Sequence, residues 1–237
     1  MVRGLRPTRS ICWHTLDPML LQPGRAVLDL GANIGSFSRR VVEEFGCICY
    51  SFEPDPELCR LIPRHPNIRV FEQAIAPTTG SAVLRVGKNR LGATILPAEC
   101  EAGEREVTVL TMSLPDLLRE HVKEPIAAVK MDIEGAEVGV IDSMTDDLLR
   151  SLPQMTIEFH DFNRQTPPEE VRRVADRLRS LGFFYMRMSG VGHQDTLFVN
   201  RDRARFGWAD YFVTRYVSRN VRGGRRVIRR KLGLPVG

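Results

Sequence analysis

The chain has 237 residues and no run of about 18 uninterrupted apolar residues, the length a membrane-crossing helix needs. Its N-terminal stretch, MVRGLRPTRSICWH, lacks the apolar core of a secretory leader, and its five cysteines include no C-x-x-C pair. These absences argue against a helical membrane protein, a disulfide-stapled scaffold and a zinc ribbon, and they place the expected protein in the cytoplasm. Cys12, Cys47, Cys49, Cys59 and Cys100 are then reduced core residues, with Cys47 and Cys49 on one face of a strand. Internal repeats and low-complexity linkers are missing too. With 43% hydrophobic and 27% charged residues, the chain reads as one globular unit with one sizeable core.

Net charge is +5, but its distribution is uneven. Residues 201–237 hold 11 Lys+Arg and 2 Asp+Glu, net +9, which leaves 23 against 27 in the first 200, net −4. The basicity therefore belongs to the tail, and a mildly acidic body argues against a nucleic-acid-binding one. The expected organisation is a domain over 1–200, with a short opening segment 1–20, and a basic, aromatic-containing tail or helix over 201–237.

What is present begins with AVLDLGANIGSF, residues 26–37. An apolar run enters a turn with Gly31 and Gly35 and then a helical pattern, so it reads as strand, tight turn and helix start. Such a turn presents backbone N–H groups to a ligand, and glycine allows close approach. The dinucleotide fingerprint G-x-G-x-x-G is absent, because Asn33 stands where its middle glycine would be. Asp29, two residues before the turn, disfavours a pyrophosphate and favours a ligand with an amine or a cation. S-adenosylmethionine fits that description. The strand over 47–53 ends in Glu53, 18 residues beyond Gly35, where an acid accepts hydrogen bonds from ribose hydroxyls. The expected cofactor residues are Asp29, Gly31, Asn33, Gly35 and Glu53.

Alternation continues with a helix over 56–62, a strand over 68–75, extended segments over 78–86 and 105–114, a strand over 126–132, a helix over 136–149, a strand over 155–160, a helix over 169–181, and a hairpin of 183–188 with 196–200. Repeated strand–helix alternation predicts an open α/β sheet with helices on both faces, whose ligands lie beyond the carboxyl ends of the strands. One strand ends AVKMDIEGAE, placing Lys130 and Asp132 on one face and Glu134, Gly135 and Glu137 on the following turn; another ends TIEFHDF, placing Glu158 and His160 on one face. If these strands are neighbours, one cleft receives an amine, several carboxylates and an imidazole. Asp132 and Glu134 either face the acceptor or cap the next helix. Lys130 either acts there or neutralises the acids. Trp13 and His14 line a cleft if the N-terminus folds back.

The sequence resembles the FkbM family of S-adenosylmethionine-dependent methyltransferases on VLDLGANIGSFS, SFEPDPE, VKMDIEGAE and IEFH, in that order, over roughly residues 20–200. The resemblance implies a Rossmann-like class I methyltransferase fold: a mostly parallel seven-stranded sheet with helices on both faces and the two acid-bearing strands adjacent. It also implies O-methylation of a sugar, glycan or secondary metabolite. One departure is Thr111-Met112-Ser113, where the family often has Thr-Leu-Asp.

Asp132, Glu134, Glu158 and His160 are then expected to face the acceptor, with His160 as the leading base. Asp132, Glu158 and His160 are also the donors for an Mg²⁺ ion, should one take part. Rival readings are a nucleic-acid methyltransferase using the basic tail and a non-catalytic binding protein of the same fold. In the tail, Trp208, Tyr211, Phe212 and Tyr216 recur at helical spacing beside Arg215, Arg219 and Arg222, which suits packing on the body, a homo-oligomer contact or an anionic membrane surface.

Overall fold

Described by a computed structural model, the protein is defined at residues 6, 8–86, 94, 95, 105–163 and 165–218. It starts with a hairpin of β1 (Arg9–Ile11) and β2 (His14–Leu16), turned through Cys12 and Trp13, both at positive φ. The chain then runs through β3 (Ala26–Leu30), the glycine turn, α1 (Ser36–Phe45), β4 (Ile48–Phe52), the single turn α2 (Pro56–Cys59) and β5 (Ile68–Phe71). A separate three-stranded sheet follows, made of β6 (Ala74–Ile75), β7 (Gly80–Val86) and β8 (Arg105–Met112). After α3 (Leu114–Glu120) come β9 (Ile126–Met131), α4 (Glu137–Asp142), α5 (Asp146–Ser151) and β10 (Gln154–Ile157). The last elements are α6 (Pro168–Ser180), the antiparallel pair β11 (Phe183–Arg187) and β12 (Thr196–Asn200), and α7 (Trp208–Phe212), continued by a wider helical turn over Val213–Ser218.

The main sheet has the order β11-β12-β10-β9-β3-β4-β5, with β5, β4, β3, β9 and β10 parallel and β12 antiparallel to both neighbours. This is the mostly parallel seven-stranded sheet the sequence led us to expect, with β9 and β10 adjacent. Alternate residues of β3 divide the core. Ala26, Leu28 and Leu30 pack with Val140, Leu149 and Leu178 from α4, α5 and α6, whereas Val27 packs with Phe37 and Val41 of α1 and with Ile11 and Leu16 of the hairpin. Burying each large apolar side chain here stabilises the fold by about 1.5–3 kcal/mol. Cys47 and Cys49 are buried in the second of these clusters as free thiols, and Cys100 lies outside the described residues.

Several boundaries differ from the sequence reading. The helix expected over 136–149 is two, because the Thr145 side chain accepts a hydrogen bond from Leu148 N and starts α5 afresh. The strand expected over 68–75 breaks at Glu72-Gln73, and Ala74–Ile75 leaves the main sheet to pair with β8. Ser113, at the position where the family often has an acid, caps α3 by accepting from Asp116 N. The N-terminus does fold back: Thr15 donates from N and Oγ1 to the Asp195 carboxylate at 2.9 and 2.6 Å, and Asp17 N donates to Gln154 Oε1 at 2.8 Å.

The two glycines of the turn are required by the protein's own packing. Gly31 has φ +79°, and an added Cβ would lie 1.8 Å from the carbonyl oxygen of Asp132. At Gly35, φ +74°, it would lie 2.8 Å from Ile62 and Pro63. Gly31→Ala is therefore expected to lower the unfolding free energy by about 2 kcal/mol or more in a urea titration. Gly190→Ala, whose new methyl would meet nothing within 4 Å, should change it by less than about 0.5 kcal/mol. Equal stability of the two variants would show that the two strand-end turns do not approach as described.

Candidate active site

The carboxyl ends of β3, β4 and β9 border a cleft that is open to solvent. Gly31, Asn33 and Glu53 form its polar side, and Phe52, Leu58 and Ile75 are among its apolar residues. Asn33 has φ +51°, which its short amide side chain tolerates, and its Oδ1 accepts from Ile34 N at 2.8 Å. Glu53 is buried, and its two oxygens accept from Asn33 N at 2.8 Å and Asp55 N at 2.9 Å. Burial pushes its carboxyl above the usual range, partly offset by those two N–H donors. A carboxylate has about four lone-pair sites, so acceptor capacity toward the cleft remains.

Asp29 and Gly35 do not line this cleft. Asp29 is fully buried, accepts from Ser38 Oγ at 2.6 Å and lies 3.2 Å from Lys130 Nζ; Gly35 faces Ile62 and Pro63. Both build the turn that presents Gly31 and Asn33. The reason is the pleat: Asp29 shares a face of β3 with Val27, under α1, so its side chain points into the layer.

Lys130 is also buried, donating to the Gly31 carbonyl at 2.5 Å and lying 3.6 Å from Asp132 Oδ2. Burial alone would lower its pKa, but Asp29 and Asp132 outweigh it and raise it. Asp132 follows β9 and is partly exposed at the mouth of the cleft, with His14 Nε2 and His160 Nε2 each at 3.8 Å. Burial opposes its ionisation, yet Lys130, His14 and His160 hold it below the usual carboxylate range.

His160 is buried between two carboxylates, with Nε2 3.1 Å from Glu134 Oε2 and Nδ1 3.0 Å from Glu137 Oε1. Burial works against its charged form, but these two partners outweigh it and push the pKa up to about 10. It therefore stands as an imidazolium at neutral pH, a donor on both nitrogens, which does not suit the role of proton acceptor expected for it. Glu158 behaves in the opposite way. Half-buried and facing Asp132 and Glu134, it is pushed up to about 7, chiefly by burial and then by its acidic neighbours.

The Methyltransferase FkbM domain matches this chain over residues 29–185, which includes the glycine turn, the cleft and both acid-bearing strand ends. The chain belongs to the FkbM methyltransferase family. As a member, it is an S-adenosylmethionine-dependent methyltransferase. No curated protein sequence matches it. Among solved structures, it is similar to precorrin-6y C5,15-methyltransferase from Geobacter metallireducens GS-15 at 11% identity and a TM-score of 0.40, covering 76% of this chain and 84% of that one. It is also similar to a structure described as a complex between the Haloferax volcanii Trm112 methyltransferase activator and the putative methyltransferase, at 11% identity and a TM-score of 0.41, covering 77% and 87%. These overlaps are loose, and membership rests on the domain match.

Two further residues join this cluster: Glu137, which the sequence placed on the turn without a role, and His14, expected at a cleft if the N-terminus folds back. Glu137 is fully buried at the start of α4 and accepts from Ile133 N, Gly135 N and His160 Nδ1. Its signal was its place in DIEGAE, one turn beyond the acids that face outward. His14 arrives through the β1–β2 hairpin, packs edge-on against Phe37 and points Nε2 at Asp132.

The three donors expected for a metal, Asp132, Glu158 and His160, do not form one cluster: Asp132 and Glu158 group with His14, and Asp132 and His160 with Glu134. Neither is the oxygen cage that Mg²⁺ favours, since each contains an imidazole. The Lys130 ammonium and the His160 imidazolium already give Asp132 and Glu134 cationic partners. The donor set does not fit Mg²⁺.

His160, with its folded pKa raised above the ordinary 6.5, contributes stability that is fully present below about pH 6.5 and is lost as pH rises through about 10. Imidazole NMR shifts of His160 should accordingly stay those of the charged ring through neutral pH in the wild type. Glu137→Gln should bring the titration down toward neutrality. Titration near 6.5 in the wild type would show that the carboxylate clamp is not formed.

Proposed function

We propose that this FkbM methyltransferase is an O-methyltransferase acting on a hydroxyl of a sugar, glycan or other secondary metabolite, with Glu158 as the base that receives the hydroxyl proton. The observation that carries the reading is a pair of neighbouring carboxylates, with oxygens within 4.8 Å, in opposite environments: Asp132, which borders the cleft, is held ionised beside cations, and Glu158, next to it, is pushed up to about 7. Carboxylates separated in this way divide the electrostatic and the proton-transfer roles between them.

S-adenosylmethionine, when bound, supplies a methyl group on a positively charged sulfur. Glu53 would hold the ribose hydroxyls through its remaining acceptor sites, Gly31 and Asn33 would line the polar side of the cofactor, and Phe52, Leu58 and Ile75 offer an apolar surface to the base. The ionised Asp132 favours a cationic sulfur in the cleft it borders. Glu158 takes the proton that the acceptor oxygen loses as its bond to carbon forms, a contribution of about 10²–10⁴ in rate. The His160 imidazolium fixes Glu134 and, through Glu137, the turn that carries it. Because Asp132, Glu134 and Glu158 make the acceptor side acidic, phosphate-bearing acceptors are repelled and neutral polyols are favoured.

Glu158→Gln is expected to reduce kcat about 100-fold or more while leaving S-adenosylmethionine affinity within about twofold. The wild-type rate should rise with pH through about 7, since the ionised form is the active one, and this limb should vanish in the variant. A variant with full turnover and the same limb would remove Glu158 from the mechanism. Label transfer to amines alone, with no hydroxyl acceptor in a broad screen, would overturn O-methylation.

Two further outcomes follow from the cleft. Glu53→Gln should weaken S-adenosylmethionine binding about 10- to 100-fold by calorimetry, the value of one charge-assisted hydrogen bond. Turnover should be indifferent to chelator; abolition by chelator with recovery on adding Mg²⁺ would require a metal in the reaction.

A further inference from the structure

A second surface lies outside the methyl-transfer site. Tyr211 stacks on Phe184 of β11 with ring centroids 4.7 Å apart, and Thr214 is buried, so α7 and the turn after it are anchored by their inner face. Their outer face carries Trp208, Phe212 and Tyr216, which are 60%, 53% and 54% exposed. The three rings form a continuous row, with centroids 6.3 Å apart for the first pair and 6.1 Å for the second. Trp208 also meets Phe184 edge-on, with centroids 4.8 Å apart, so one edge of its ring helps Tyr211 hold the helix, whereas no ring contact ties Phe212 or Tyr216 to the body among the described residues.

Arginines outnumber acids beside the row, where Arg201, Arg203, Arg205 and Arg215 stand against Asp202 and Asp210; Arg219 and Arg222 lie outside the described residues. Arg201, Arg203 and Arg205 are exposed in the turn that leads into α7, and the Arg215 guanidinium lies 5.8 Å from the Tyr216 ring. Over 201–237 the sequence carries 11 basic and 2 acidic residues. We propose that this face docks on an anionic lipid bilayer, with Trp208, Phe212 and Tyr216 entering the headgroup boundary and the arginines meeting lipid phosphates. Aromatic rings with polar tips favour that boundary, and basic residues beside them supply the attraction to acidic lipids. Among the described residues no helix is long and apolar enough to cross a membrane, so the contact is with the surface.

A second copy of the chain is a poorer occupant. A two-fold contact through this face would bring two segments of net positive charge together. Duplex nucleic acid would match the arginines but, with its bases already stacked on one another, leaves the three projecting rings without a partner.

The test uses the full chain carrying Trp13→Phe, which leaves Trp208 as its one tryptophan. Vesicles of phosphatidylcholine alone and with about 30% phosphatidylglycerol are compared at low and high salt. Cosedimentation should be at least about tenfold greater with the acidic vesicles at low salt and should fall at high salt, with a blue shift of Trp208 fluorescence on binding. On the unmodified chain, the combined substitution Trp208→Ala, Phe212→Ala and Tyr216→Ala should abolish sedimentation while S-adenosylmethionine affinity is retained, which shows that the body still folds. Equal binding to neutral vesicles, no binding to acidic ones, or undiminished binding by the triple variant would overturn the proposal. So would a wild-type dimer that the triple variant converts to monomer, or duplex DNA binding that the triple variant loses without any vesicle binding.

Discussion

The buried ammonium of Lys130 joins two turns whose acids would otherwise repel each other. It reaches the Gly31 carbonyl on one side and stands between Asp29 and Asp132, so the turn after β3 and the turn after β9 close around a single cation. Asp29 has no route to water, and an unpaired charge there would cost several kcal/mol. The absence of a Cβ at Gly31 is the steric counterpart of the same closure, because it lets the Asp132 carbonyl sit against the turn. Charge and sterics thus converge on one contact, and both walls of the cleft depend on it.

From that contact the remaining acids are sorted by surroundings. Glu137 is enclosed, its Oε1 accepting from two backbone N–H groups and from His160 while its buried Oε2 has no hydrogen-bond partner among the described residues; Glu134 is tied to the other imidazole nitrogen, and Asp132 lies next to Lys130. Glu158 is left with acidic neighbours and partial burial, which push its carboxyl up to about 7 while Asp132 is held below the usual carboxylate range. A histidine beside carboxylates reads from sequence as a base, but two carboxylates at hydrogen-bond distance turn it into a fixed cation.

Much of the frame was legible because it is written in local periodicity: strand, glycine turn and helix at 26–45, and the adjacency of the strands ending in DIEGAE and IEFH. What was not legible depends on contacts between distant segments. The pairing of Ala74–Ile75 with β8 cannot be read from two residues, and His14 meets Asp132 only because Asp195 and Gln154 hold the hairpin against the far side of the sheet. The direction of Asp29 was readable in part, since a strand places it with Val27 and away from Leu28; which of those faces lies under α1 was not.

Backbone strain shows how the site keeps its shape. Asn33 and Glu134, both non-glycine residues at positive φ, occupy the two turns that border the cleft, at φ +51° and +53°. At the second turn, the N–H groups of Ile133 and Gly135 converge on the Glu137 carboxylate, and Glu134 is the residue between them, forced into the left-handed region as the chain wraps that anion. The same wrapping aims the Glu134 side chain at His160. At the first turn, Asn33 N is drawn onto Glu53, so that carboxylate is itself the post around which the backbone bends. Methyl transfer depends more on alignment than on covalent help from the protein, and alignment requires that these groups be placed before the reactants arrive. Two buried carboxylates, each bent around by backbone, supply that placement at a cost of about 1–3 kcal/mol of strain per residue, offset by the hydrogen bonds they accept.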